Sequence, residues 1–142
     1  MTEPTEPPGL LRKVDCVQLP VPDLEGGLAF YRHRLGHELL WRTETAAGLR
    51  LGDSDSELVL QTQRPQPEVD FLFGSVDQAA TQLTRAGGRV VVEPFDIPIG
   101  RVAVVADPFG NRLTIVDLTR GRYLTDADGK VTGVADVHEA ST

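Results

Sequence analysis

The sequence carries the same pattern twice. A strand-like alternation, a helix-like stretch closed by glycine and three further strand-like segments recur, and the helix-stopping Gly36 and Gly88 lie 52 positions apart. A repeat of this period builds paired copies that share one core, because a single copy cannot bury its apolar face alone. In the first copy, residues 13–21 alternate, with Val17, Leu19 and Val21 on one face and Cys16 and Gln18 on the other. Asp23 is placed to cap a helix over Leu24 to Leu35, whose Leu24, Leu28, Tyr31 and Leu35 follow helical spacing. Gly26 and Gly27 weaken that helix locally, so packing must hold it. Strands are expected over residues 37–42, 48–51 and 57–62, with residues 52–56 as a hairpin turn.

A proline-containing linker, residues 63–68, precedes the second copy. Val69, Phe71 and Phe73 share one face of its first strand, and Val76, Ala79, Ala80 and Leu83 form the apolar stripe of a helix over residues 76–86. Strands follow at 89–92, 101–106 and 112–117, with Pro94 and Pro98 bounding a loop and Pro108 to Asn111 forming a turn. The fold class read from this order is α+β: two tandem βαβββ units, residues 12–63 and 68–118, in one domain over 12–118. Residues 1–11 read as a disordered leader. Residues 119–142 read as a C-terminal extension with a β-hairpin around Asp126 to Gly129. That turn superficially suggests a calcium loop, but Lys130 and Val137 stand where such a loop needs ligands.

A length of 142 residues suits one domain with a core that needs no covalent staples. The single Cys16 excludes an internal disulfide, and neither a signal-peptide run nor a membrane-spanning run is present in the sequence. A cytoplasmic location is the expectation. A net charge of −7 with scattered Lys and Arg argues against a nucleic-acid partner and suits a cationic ligand.

Two segments carry a resemblance: Val21-Pro22-Asp23-Leu24-Glu25 with Leu28-Ala29-Phe30-Tyr31-Arg32 and Leu35-Gly36, and Asp107-Pro108-Phe109-Gly110-Asn111-Arg112 before a strand. With the duplicated units they resemble the vicinal oxygen chelate superfamily of glyoxalase I, extradiol dioxygenases, and fosfomycin- and bleomycin-resistance proteins. The resemblance implies curled half-barrel sheets enclosing a ligand cleft, helices on the outer faces, and a homodimer. Many members hold a divalent metal on a His of the first strand and a Glu of the last strand of each unit. Here Cys16 and Val59 stand at the first His and Glu, and Phe71 and Thr114 at the second His and Glu. Asp15 and Asp70 are one residue away, where alternation turns a side chain to the other face. Val and Phe offer no donor atoms, so no metal ligands and no cofactor are expected. His33, His37 and His138 form no evident pair that would replace them.

Alternation assigns the cleft lining to Cys16, Gln18, Val59, Gln61, Phe71, Phe73, Thr114 and Val116, with Trp41 as a further wall. Apolar and aromatic walls with a few amides and a hydroxyl suit a small organic ligand. Arg101 is a candidate anchor for an anionic group, and Arg50 and Arg112 are weighed beside it. Glu57 and Glu93 are the candidate acid-base residues. The function read from these features is metal-free binding of a natural product or drug-like molecule. The alternative is a metal-independent isomerase, cyclase or lyase on the same scaffold, with a metal-dependent glyoxalase or dioxygenase as a more distant reading.

Overall fold

The computed structural model describes residues 9–136. The expected leader therefore falls, up to residue 8, outside the described residues, as does His138. Strand β1 (Val14–Pro20) leads to α1 (Leu24–Leu28), which is prolonged by a π-helical segment (Ala29–Arg34). Strands β2 (Leu39–Arg42), β3 (Ala46–Arg50) and β4 (Glu57–Gln61) complete the first unit. The second contains β5 (Glu68–Leu72), α2 (Val76–Arg85), β6 (Arg89–Ile97), β7 (Gly100–Ala106) and β8 (Arg112–Asp117). A hairpin of β9 (Arg122–Thr125) and β10 (Val131–Ala135) follows.

Each unit begins at the sheet's centre. β1 runs parallel to β4, and β5 runs parallel to β8. Antiparallel pairing of β1 with β5 (Cys16 opposite Asp70, Val17 opposite Val69, Gln18 opposite Glu68) fuses the units into one eight-stranded sheet, β2-β3-β4-β1-β5-β8-β7-β6. The sheet is mixed and curled, as the α+β reading required.

Both helices cover the outer, apolar face. Asp23 accepts a hydrogen bond from Gly26 N at 2.6 Å and so caps α1. Leu24 and Leu28 pack on Ala47, Leu49, Leu58 and Leu60. The single helix expected to Leu35 changes character at Ala29, and Leu35 N bonds the carbonyl of Phe30 five residues back at 2.9 Å. Ser75 caps α2, whose Val76, Ala79 and Ala80 are buried against Ala103, Val105 and Ile115.

One strand is longer than its sequence suggested. β6 continues through Pro94 to Ile97, where prolines had marked a loop. It is the outermost strand, so an edge position absorbs the missing proline N–H, and pairing irregularities near Val92 and Phe95 accommodate the ring.

Candidate functional site

The concave face of the sheet encloses a cleft of about 850 Å³. Its two sides differ in chemistry. Val92, Phe95 and Ile97 of β6, with Val102 and Val104 of β7, form an apolar wall. Across from them, β1, β4 and β5 contribute Asp15, Cys16, Gln18, Glu57, Gln61, Glu68 and Asp70. The hairpin adds Arg122, Tyr123 and Thr125 at the rim.

Of the residues assigned from sequence, the structure brings Cys16, Gln18, Trp41, Glu57, Val59, Gln61, Thr114 and Val116 together in the cleft. Phe71 and Phe73 are not there. They lie on the apolar face of β5 and Phe73 packs in the core under α2, so alternation directs Glu68 and Asp70 inward instead. Asp70, rather than Phe71, is thus the β5 residue beside Cys16 and Thr114, its Cα partners on either side. Asp15 also reaches the cleft, because the β1–β5 register shifts between Val14 and Cys16. Arg101 leaves the site: its guanidinium pairs with Asp96 at 2.7 Å and Asp77 at 3.3 Å, tying β7 to β6 and to α2. Glu93 is exposed and outside the cleft on β6. Arg50 is held by Glu38 at 2.9 Å, and His37 Nδ1 lies 2.9 Å from the Arg50 carbonyl oxygen.

Hydrogen bonds organise the acidic side. Asp70 Oδ2 accepts from Gln18 Nε2 at 2.9 Å and from the Cys16 thiol at 3.4 Å. Gln18 Nε2 also donates to Glu68 at 3.0 Å, while Arg64 donates to the Gln18 amide oxygen and pairs with Glu68 at 3.5 Å. Asp70 is 92% buried, being 8% exposed, and its Oδ1 has no hydrogen-bond partner among the described residues. Burial, reinforced by the neighbouring Glu68, pushes the Asp70 carboxyl up to about 8, so it carries a proton near neutrality. Burial and then the adjacent Asp70 also drive the Cys16 thiol upward, which removes it as a nucleophile. Burial raises Asp15 against the opposing pull of Lys13, and raises Glu57 against a hydrogen bond from Trp41.

At the other end of this acidic row, Trp41 Nε1 donates to Glu57 Oε1 at 2.8 Å. The indole lies directly over Gly48, where a Cβ would stand 2.0 Å from Nε1. Gly48→Ala should therefore expel the ring and break its bond to Glu57. The expected readout is a red-shifted emission from this lone tryptophan of the chain, at a cost of about 1 kcal/mol for the lost hydrogen bond. Unchanged emission would contradict the placement of the indole.

A divalent metal would meet Cys16, Asp70 and Thr114 here, with Val59 at the fourth position. The donors do not suit it: Val59 has none, the Thr114 hydroxyl is a weak ligand, and the Cys16 thiol and Asp70 carboxyl are engaged with each other and with Gln18. Among the described residues, no three His, Cys, Asp or Glu side chains converge into a ligand set.

The fold agrees with the comparisons. Residues 13–115 match the Glyoxalase/Bleomycin resistance protein/Dioxygenase superfamily, and the chain belongs to that family. It is 37% identical over 101 residues to a protein named "Putative glyoxylase CFP32" from Mycobacterium bovis, covering 63% of this chain and 37% of that protein. It is 30% identical over 141 residues to the "Anthracycline biosynthesis protein DauV" of Streptomyces sp. (strain C5), covering 89% of this chain and 49% of that protein. The chain thus spans between about a third and a half of these curated relatives. Its fold is shared with methylmalonyl-CoA epimerase from Mycobacterium tuberculosis at a TM-score of 0.66 and 19% identity, over 80% of this chain and 92% of that one.

Proposed function

We propose that this protein is a cytoplasmic, homodimeric, metal-free binding protein that takes up a flat organic molecule and releases it unchanged. The observation that carries this reading is the division of the cleft into an apolar wall and a hydrogen-bonding, acidic wall. A volume of about 850 Å³ is that of a site for a drug-sized ligand. Val92, Phe95, Ile97, Val102 and Val104 would cover one face of such a ligand, while Gln18, Gln61 and Thr114 would orient its polar edge. The relative named for anthracycline biosynthesis directs the first trial to anthracyclines.

Trp41 reports on this wall without interference from a second tryptophan. Titration with an anthracycline should quench its emission saturably, with the same midpoint in EDTA, and the compound should be recovered intact. A midpoint that requires added metal, or a chemically altered product, would contradict the proposal.

Asp70 favours a second reading, a metal-independent isomerase, cyclase or lyase. A carboxyl titrating near 8 can donate a proton to a bound molecule at neutral pH. On this reading, conversion of a substrate would survive chelator, and Asp70→Asn would reduce the rate by at least about 100-fold with little loss of binding. Unchanged turnover in that variant would remove Asp70 from the chemistry.

A further inference from the structure

The hairpin after the duplicated units completes one corner of the cleft. It leaves the second unit at β8 and reaches the far edge of the first, where Arg42 N donates to the Gly129 carbonyl at 2.7 Å and Arg42 bridges Lys130. This course sets Tyr123 against Trp41, with ring centroids 5.2 Å apart and planes inclined at 47°. Both rings of this tilted pair line the cleft, together with Glu57. Glu57, the first residue of β4, is held through one oxygen by the indole, and its charge acts on the Tyr123 hydroxyl. Asp15 lies close enough to act on Glu57.

We propose that Trp41, Tyr123 and Glu57 form a subsite for an alkylated ammonium group, so that the ligand is an organic cation with an apolar body. The inference rests on the binding reading above and names its ligand class. Aromatic faces attract a cation through the ring quadrupole, and a partly desolvated carboxylate supplies the countercharge that a neutral ligand would not use. The apolar wall of β6 and β7 then takes the body of the molecule.

The neighbouring cations are engaged or exposed: Arg64 binds Gln18 and Glu68, Arg122 is exposed on β9, and Arg50, the Cα partner of Glu57 on β3 whose charge acts on it, is held by Glu38 at 2.9 Å.

The test compares benzyltrimethylammonium with neopentylbenzene, which has the same shape but no charge, by quenching of Trp41 emission in the full chain. The expected result is about tenfold tighter binding of the cation, reduced to less than about twofold by Glu57→Gln, an isosteric change that preserves an acceptor for the indole. Tyr123→Leu should weaken the cation and spare the neutral compound. Equal affinity for the two compounds overturns the ammonium subsite and leaves the binding reading standing. A preference for the cation that persists in Glu57→Gln also overturns it, whereas failure of both compounds to bind removes the binding reading as well.

Discussion

Asp117→Ala should cost about 3 kcal/mol of stability, the largest effect expected of any side chain outside the apolar core. Asp117 is 2% exposed, yet every contact it makes is to a donor. Oδ2 accepts from Val76 N at 2.8 Å, the first amide of α2, and Oδ1 accepts from Arg101 N at 3.0 Å, Thr119 N at 3.3 Å and Thr119 Oγ1 at 2.7 Å. One carboxylate thus ties the end of β8 to the start of α2 and the start of β7. Alanine would leave these backbone donors facing a cavity without acceptors, at roughly 1–3 kcal/mol for each that water cannot reach. Against a total stability of about 5–15 kcal/mol, the loss is large. Asparagine should not rescue it, since its amide nitrogen would oppose an N–H. Urea denaturation measures the effect, and a loss below about 1 kcal/mol would refute this role. Gly100→Ala strikes the same junction, because a Cβ there would lie 1.9 Å from the Asp117 carbonyl oxygen.

Asp70→Asn should stabilise the protein, by an amount that grows as the pH rises from 4 to 8. The carboxyl titrates near 8 when folded and at the ordinary 3.8 when unfolded. Below pH 4 both states hold the proton. Between pH 4 and 8 the folded state keeps a proton that the unfolded state releases, so stability falls as pH rises, by up to about 1.4 kcal/mol per pH unit for this one group. Above pH 8 the penalty is complete. The expected gap between variant and wild type is at least ~2 kcal/mol at pH 9, compared with a smaller one at pH 5. Asparagine keeps an acceptor for Gln18 and Cys16. Denaturation curves at both pH values give the answer, and a difference that does not change with pH would show that Asp70 is ionised in the folded chain.

The architecture was legible because duplication, helix caps and apolar periodicity all point the same way. Asp23, the Leu24 and Leu28 stripe and the Val76, Ala79, Ala80 stripe each do locally what the fold needs. The cleft was harder to read. On β5 the alternation of Val69, Phe71 and Phe73 was evident, but periodicity cannot say which face meets a helix and which meets a ligand. The aromatic face goes to the helix because Phe73 can be buried with Val76 and Ala79, leaving the carboxylates to the concave side. Pro94 concealed the apolar wall, since proline is excluded from inner strands and tolerated on an edge, and edge position is a property of the whole sheet. Arg101 looked free until α2 and β6 supplied Asp77 and Asp96. Tyr123 was unreadable as a site residue because its meeting with Trp41 depends on how the hairpin crosses both units.

The β1–β5 seam also bears on stoichiometry. Both walls of the cleft come from units of one chain, so occupancy at a given ligand level is expected not to change when the protein is diluted. In a mixed assembly of intact and site-defective chains, half the chains would retain half the capacity, whatever holds the assembly together.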